Sequence, residues 1–344
     1  MAKTAFAPPK TYFSYGTDQN NIAENGYPLT VWSIEQELDF PTLYSAEKES
    51  RNIEYSIAST EYEIEKNRLL KEVSMGYYEY TTLSRKIESY RELDSIYKTL
   101  LVQYEKRTGL NDISKLEYLN MKSKSSEISV ELNKMDNSLG ISFNKLKVLV
   151  NSPGEFTIIK NYDIIPETLP GTDSLTVYNY LNLLTEYEAS LVKVAKRSTL
   201  PSFLFNYFIG SNNYAEAKNY HGFEVGVNVP LFYGSYKNNI KSAKISYESS
   251  KMLEENEISN IEQRIFAILA QLEQNADLIK RYEETDLPLA EEIKRVALES
   301  YSLGEIDFLN FASSMKSALD IESAYYDAVF SYITNYLEIL YFTN

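Results

Sequence analysis

The chain has 344 residues, of which 44 % are hydrophobic, so a sizeable core is available and the composition argues against a disordered polypeptide. Its net charge of −15, with no basic run, argues against a nucleic-acid or anionic-headgroup partner. Cysteine is absent, which excludes a disulfide framework, a zinc–cysteine site and a catalytic thiol.

No stretch approaches 18 consecutive apolar residues, so no transmembrane helix is expected. The opening residues, Met1 to Pro9, carry no apolar run of the secretory type. The 30 tyrosines suit half-wet surfaces such as helical seams beside water and the edges of a membrane band, because each ring is apolar in body and polar at its tip.

In chain order, two strands are predicted over 9–16 and 29–40, separated by a polar loop over 17–28 that holds Asp18, Asn20, Asn21, Asn25, Gly26 and Pro28. A long helix follows over 42–107, with Gly76 its only glycine and no proline. Val73, Tyr80, Ile87 and Leu101 share one heptad position, interrupted by Asp94. Gly76, Leu83, Tyr90, Tyr97 and Tyr104 share another, the spacing of helices packed as a coiled coil. Such a helix would be about 99 Å long at roughly 1.5 Å per residue. A turn at Thr108, Gly109, Leu110 and Asn111 reverses it into a return helix over 112–150. One face of that helix carries Leu132, Met135, Leu139, Phe143, Leu146 and Leu149.

Residues 151–171, with Pro153, Gly154, Pro166, Pro170 and Gly171, break the return and are expected to form an equatorial belt. A helix over 172–200 leads to a second strand pair, 201–210 and 223–232, joined by a polar loop that holds the only histidine, His221. A second long helix over 234–303 is expected to kink at Pro288. It turns at Leu303, Gly304, Glu305 and Ile306 and returns over 307–342. The organisation is thus 1–41 first strand pair, 42–150 first hairpin, 151–171 belt, 172–200 connecting helix, 201–232 second strand pair and 233–344 second hairpin.

Strand, strand, long helix, turn and return helix occur twice. Pro9 to Tyr15 aligns with Pro201 to Tyr207, Phe40-Pro41 with Val229-Pro230, and Asp112, Ile113 and Leu116 with Glu305, Ile306 and Leu309. The first unit has no counterpart of the 172–200 helix. The expectation from the repeat is that the natural beginning lies upstream, through truncation or as part of a longer fusion, with a shorter natural variant as the alternative.

The strands alternate. Phe223, Val225, Val227, Val229 and Leu231 oppose Glu224, Gly226, Asn228 and Pro230. Phe203, Phe205, Tyr207 and Ile209 oppose Ser202, Leu204, Asn206, Phe208 and Gly210. Thr30, Trp32, Ile34, Leu38 and Phe40 oppose Ser33, Glu35, Glu37 and Asp39, with Gln36 breaking the apolar face. A soluble sandwich with one buried face fits this alternation as well as a lipid-facing sheet does, and Trp32 fits either an interfacial anchor or a packed strand residue. If the strands span a membrane, four cannot close a barrel, since membrane barrels start at about eight strands. Several copies must then share one, and three would supply twelve strands.

With these features together, the chain resembles the outer membrane factor (TolC-type) family over residues 8–344, most closely at Tyr301 to Leu309 and at the strand-to-helix junctions Pro41 and Pro230. It is similar to the heavy-metal and cation efflux branch associated with RND pumps; residues 12–44 resemble segments fused to the C-terminus of metal-exporting pumps. The resemblance implies an α+β, mostly α fold. Its two strand pairs would contribute to a trimeric 12-stranded membrane barrel and its two long hairpins to a periplasmic tunnel. It also implies a passive exit duct of a tripartite RND-type system for heavy-metal cations or small toxic compounds. Such a duct lies in the bacterial outer membrane, extends into the periplasm, and works as a homotrimer with a periplasmic adaptor protein and an inner-membrane RND pump. It is not an enzyme and uses no cofactor or metal.

By family position, Arg107, Thr108, Gly109, Leu110, Asn111, Leu303, Gly304, Glu305 and Ile306 form the tip that docks pump and adaptor, and Asp112 and Asp307 are gate candidates. Helix capping is the competing role for those two acids. Trp32, Ile34, Leu38, Phe203, Phe205, Tyr207, Phe223, Val225, Val227 and Val229 are the lipid-facing candidates. A soluble coiled-coil adaptor or scaffold of an envelope transport complex is the alternative function. The single histidine builds no metal or acid–base site, and no nucleotide-binding glycine motif is present.

Overall fold

The computed structural model describes residues 8–108, 114–151, 154, 156–159 and 176–343. The strands are β1 (Tyr12–Ile22), β2 (Pro28–Leu38), β3 (Ser202–Ser211) and β4 (Tyr220–Asn228). The helices are α1 (Pro41–Thr108), α2 (Lys115–Leu149), α3 (Thr176–Arg197), α4 (Tyr233–Arg281), α5 (Leu287–Leu303) and α6 (Phe308–Thr343), with a π-helical segment, Tyr282–Asp286, between α4 and α5. The chain divides into two compact units, Met1–Glu63 with Val177–Ser259, and Ile64–Thr176 with Asn260–Asn344.

The first unit holds one antiparallel sheet in the order β1-β2-β3-β4. β1 runs to Ile22, beyond the expected end at 16. Its backbone stays in the ladder through Thr17 opposite Thr30 and Asp18 opposite Leu29, and the register shifts only between Asp18 and Ile22. Loop-forming side chains are tolerated there because β1 is an edge strand, needing ladder partners on one side only. β4 begins at Tyr220, so His221 lies in the strand opposite Ile209 rather than in the loop. β4 ends at Asn228, two residues before Pro230, which has no N–H for a ladder.

α1 starts with proline in its first turn, where the missing N–H is not needed. Leu43, Tyr44, Ala46 and Ser50 are buried on α1, and Ser190 and Val192 on α3. Lys193 of α3 pairs with Glu49 of α1 at 2.7 Å, and Thr185 of α3 meets Ser250 of α4 at 3.3 Å. α3 therefore contacts both long helices within this unit.

The second unit is a helical bundle. Its core gathers Leu93, Tyr97 and Tyr104 from α1, Met121 from α2, Ala297 from α5, and Phe308, Phe311, Ala312, Met315 and Leu319 from α6. The heptad positions Ile87, Tyr97 and Tyr104 are buried, as the seven-residue period requires. Asp94, the polar interruption, is buried too. Ser129 of α2 donates to its Oδ1 at 2.8 Å and Lys98 reaches its Oδ2 at 2.6 Å, so the carboxylate is satisfied inside the seam. Gly76 faces Leu146 of α2, which would make ordinary van der Waals contact at 3.4 Å with a Cβ added there. The π-helical segment ends two residues before Pro288, with the Leu287 N–H bonding the Tyr282 carbonyl, where the sequence predicts a kink at the proline.

Candidate functional site: an apolar sheet face and a capped helical turn

Register places the apolar residues of all four strands on one face. Tyr15, Trp32, Ile209 and His221 form a row across the sheet; Phe13, Ile34, Tyr207 and Phe223 form the next; Phe205 and Val225 continue it beside Gln36; Leu38, Phe203 and Val227 complete it. The face is open to solvent in the single chain: Phe13 is 70 %, Trp32 60 % and Phe223 82 % exposed. Ile34, Phe205, Tyr207, Val225 and Val227 are exposed as well, while Leu38 and Phe203 are half-buried. Val229 is exposed but lies one residue beyond the end of β4. That face is an uncovered apolar surface far larger than scattered single residues would make.

Gln36, Tyr207 and His221 on this face are hydrogen-bonded within the unit. Gln36 accepts from the Thr11 hydroxyl at 2.6 Å, and its amide donates to the carbonyls of Pro9 at 2.9 Å and Glu37 at 2.7 Å. The Tyr207 hydroxyl bonds His221 Nδ1 at 2.7 Å. The interruption at Gln36 is therefore neutralised by partners that the sequence pattern does not display.

The opposite face takes every carboxylate of the strands, Asp18, Glu35, Glu37 and Glu224, and no strand contains Lys or Arg. Glu37 accepts from Ser202 at 2.5 Å and Asn228 at 3.0 Å, and the hydroxyls of Ser14 and Ser33 meet at 2.7 Å. Gly222 leaves room for the Phe208 ring, which would lie 2.3 Å from a Cβ there. β1 and β4 are the two edges of the sheet. At the hairpin end, Asn25 and Asn212 exchange amide hydrogen bonds at 3.0 Å, Tyr27 stacks on Tyr214 at 3.9 Å, and Lys218 pairs with Glu24 at 2.7 Å.

In the second unit, the α5–α6 turn is closed at both sides. Gly304 has φ 74°, and the N–H groups of Gly304 and Glu305 bond the carbonyls of Tyr301 at 3.1 Å and Ser300 at 2.9 Å, the paired closure of a left-handed glycine stop. Asp307 Oδ1 then accepts the Asn310 N–H at 2.8 Å, so Asp307 caps α6. Leu303 is exposed, Glu305 accepts from the Ser300 hydroxyl at 2.9 Å, and Ile306 packs on the bundle core.

Of the first turn, Arg107 and Thr108 are the last residues of α1, while Gly109, Leu110, Asn111 and the gate candidate Asp112 lie outside the described residues. α2 is capped by Ser114, whose hydroxyl accepts the Glu117 N–H at 3.1 Å. That residue was missed, although Ser114-Lys115-Leu116-Glu117 carries the capping-box spacing. Between α1, α2 and α6 a groove of about 390 Å³ is floored by Tyr90, Tyr97 and Ile128 and rimmed by Lys124 and Lys316. Among the described residues, no group of three or more His, Asp or Glu side chains is placed to hold a metal ion, and no helix is long and apolar enough to cross a membrane.

No protein-family model matches the chain, and no curated protein does. Solved structures do. The CmeC outer membrane channel of Campylobacter jejuni superposes with a TM-score of 0.83 at 13 % identity, covering 99 % of this chain and 78 % of that one. The MtrE outer membrane channel of Neisseria gonorrhoeae gives 0.80 at 14 % identity, covering 99 % and 81 %. The outer membrane protein VceC of Vibrio cholerae gives 0.78 at 16 % identity, covering 97 % and 86 %. CmeC and MtrE are described as outer membrane channels. The chain has the TolC-like protomer fold, mostly helical with one four-stranded antiparallel sheet.

Proposed function

We propose that the chain is one protomer of an outer-membrane efflux channel, a passive duct in which three copies share a twelve-stranded barrel. The observation that carries this is an apolar face without Asp, Glu, Lys or Arg, on which Gln36, Tyr207 and His221 are hydrogen-bonded, on a sheet with two open edges. In lipid every backbone and side-chain polar group needs an internal partner, and open edges are tolerated only if neighbouring strands close them. Trp32, Ile34, Leu38, Phe203, Phe205, Tyr207, Phe223, Val225, Val227 and Val229 face lipid in this reading, and the carboxylate face lines the lumen.

The same reading assigns the duct to a tripartite RND-type system, with a periplasmic adaptor and an inner-membrane pump docking at the two helical turns, and heavy-metal cations or small toxic compounds as cargo. The strand pairs, hairpins and belt keep the boundaries given above. Asp307 has a demonstrated structural task as a cap, and its place at a turn is compatible with an additional contribution to closing the tip. The test is the mass of the chain extracted from membranes in mild detergent. A trimer that conducts ions in planar bilayers supports the duct. A water-soluble monomer or dimer overturns it in favour of a coiled-coil scaffold.

A further inference from the structure

The groove between α1, α2 and α6 lies wholly within the second unit and contains a donor without an acceptor. Tyr97 on its floor is 2 % exposed, and its hydroxyl makes no hydrogen bond among the described residues. Buried tyrosine hydroxyls ordinarily find a partner, so this one is an exception that asks for a ligand. Burial, and after it the Glu127 carboxylate on the groove wall, pushes the phenol up to about 12. At neutral pH it is therefore a protonated donor, with its oxygen on the side of the groove.

The inner walls are apolar: Leu93, Ile128, Ala312 and Leu319, with the Tyr90 ring beside them. The charges at the mouth are already matched along their own helices. Lys124 bonds Glu127 at 2.7 Å, Lys134 bonds Glu131 at 3.1 Å, and Lys316 bonds the two oxygens of Asp320 at 2.9 and 3.0 Å. An ion of either sign would find no unmatched charge there. An uncharged molecule would meet apolar and aromatic surface and one waiting O–H group. The volume of about 390 Å³ is that of a small-molecule site. We propose that this groove binds an uncharged aromatic molecule carrying one acceptor oxygen, an aryl ketone or ester, with that oxygen accepting from the Tyr97 hydroxyl. The site belongs to the second unit alone and stands whether or not the sheet spans a membrane.

Benzophenone is the probe. It is uncharged, its ketone oxygen is the acceptor, and under near-ultraviolet light its carbonyl attacks neighbouring C–H bonds, so the bound molecule marks its own site. The full chain in mild detergent is irradiated with it, and adducts are located by peptide mass spectrometry. A second apolar groove, lined by Phe266, Leu269 and Leu272 of α4, is the internal reference. Labelling at Leu93, Ile128 and Leu319 well above that reference is expected. Tyr97→Phe, which deletes only the donor, should lower it about fivefold, the worth of one hydrogen bond. Ser313→Trp, at an exposed position on the groove rim, should abolish it while the unfolding midpoint stays near that of the parent. Equal labelling of the two grooves overturns the site. Labelling that Ser313→Trp blocks but Tyr97→Phe leaves unchanged overturns the acceptor requirement. Labelling of the dissociated chain that disappears on assembly shows that another protein chain covers the groove, and overturns the proposal too.

Discussion

Ser114 and Asp307 hold the same station in the two hairpins: each accepts, on its side-chain oxygen, the backbone N–H three residues further along, at 3.1 Å from Glu117 and 2.8 Å from Asn310. The repeat alignment that sets Leu116 against Leu309 places these two residues opposite each other. Asp112, by that alignment, corresponds to Glu305. The two gate candidates, Asp112 and Asp307, are therefore not equivalent positions of the repeat, and an acid at the cap station occurs in the second hairpin only.

Replacing the cap should separate its structural task from any role in gating. Asp307→Ala is expected to cost about 1 kcal/mol, the usual loss when an N-cap acceptor is removed, and Asp307→Ser to restore most of it. Denaturant unfolding of the detergent-solubilised protein measures this. If Asp307 also helps close the tip, Asp307→Ser should raise single-channel conductance while stability stays near the parent value.

Lys294 is held by Glu322, Glu92 and Glu291, with Glu322 buried and one of its oxygens unpartnered. Burial is the largest single influence on Lys294 and pulls its pKa down, but the three carboxylates together keep it above its ordinary value of 10.5. A raised lysine pKa contributes stability that is complete below 10.5 and is lost as pH climbs through the higher folded value. Glu322→Ala should destabilise by roughly 3 kcal/mol, since it leaves a half-buried ammonium with only the longer contacts to Glu92 and Glu291, and Lys294→Met with Glu322→Leu should recover most of that. Thermal unfolding of the single and double variants at neutral pH checks the pair.

Tyr97 is buried against Phe308 and Phe311, with ring centroids 6.0 and 6.2 Å away. Burial pushes its hydroxyl up to about 12 from an ordinary 10.0, and Glu127 adds to the effect. The unfolded chain ionises first, so stability should fall as pH rises from 10.0 to about 12 and then level. Tyr97→Phe should keep the core and flatten that alkaline limb, whereas Tyr97→Ala should cost roughly 3–5 kcal/mol through the cavity it leaves. Unfolding midpoints recorded across alkaline pH distinguish the two.

Gly222→Ala should destabilise the sheet by roughly 1–3 kcal/mol, because the new Cβ would overlap the Phe208 ring at 2.3 Å. Adding Phe208→Ala should relieve the clash and recover part of that loss. Proteolytic susceptibility of the β3–β4 hairpin in the variants provides the measurement.

Periodicity made much of this protein legible. The seven-residue spacing of Tyr90, Tyr97 and Tyr104 and the two-residue alternation of Phe203, Phe205 and Tyr207 follow from helix and strand geometry alone, and the sequence determines them wherever those elements form. Composition likewise determined that no cysteine chemistry is available. Other features depend on residues far apart in the chain. Asp94 breaks the heptad on paper, and Ser129, brought alongside by the packing of α2, joins Lys98 from the next turn of α1 in making its burial tolerable. Gln36 breaks the apolar face on paper, and Thr11 and Pro9, just before β1, join the adjacent Glu37 carbonyl in closing its hydrogen bonds. The register that sets Trp32 beside Tyr15 and opposite Ile209 was decided by the tertiary structure, because local alternation fixes which face a side chain takes but not which partner it meets.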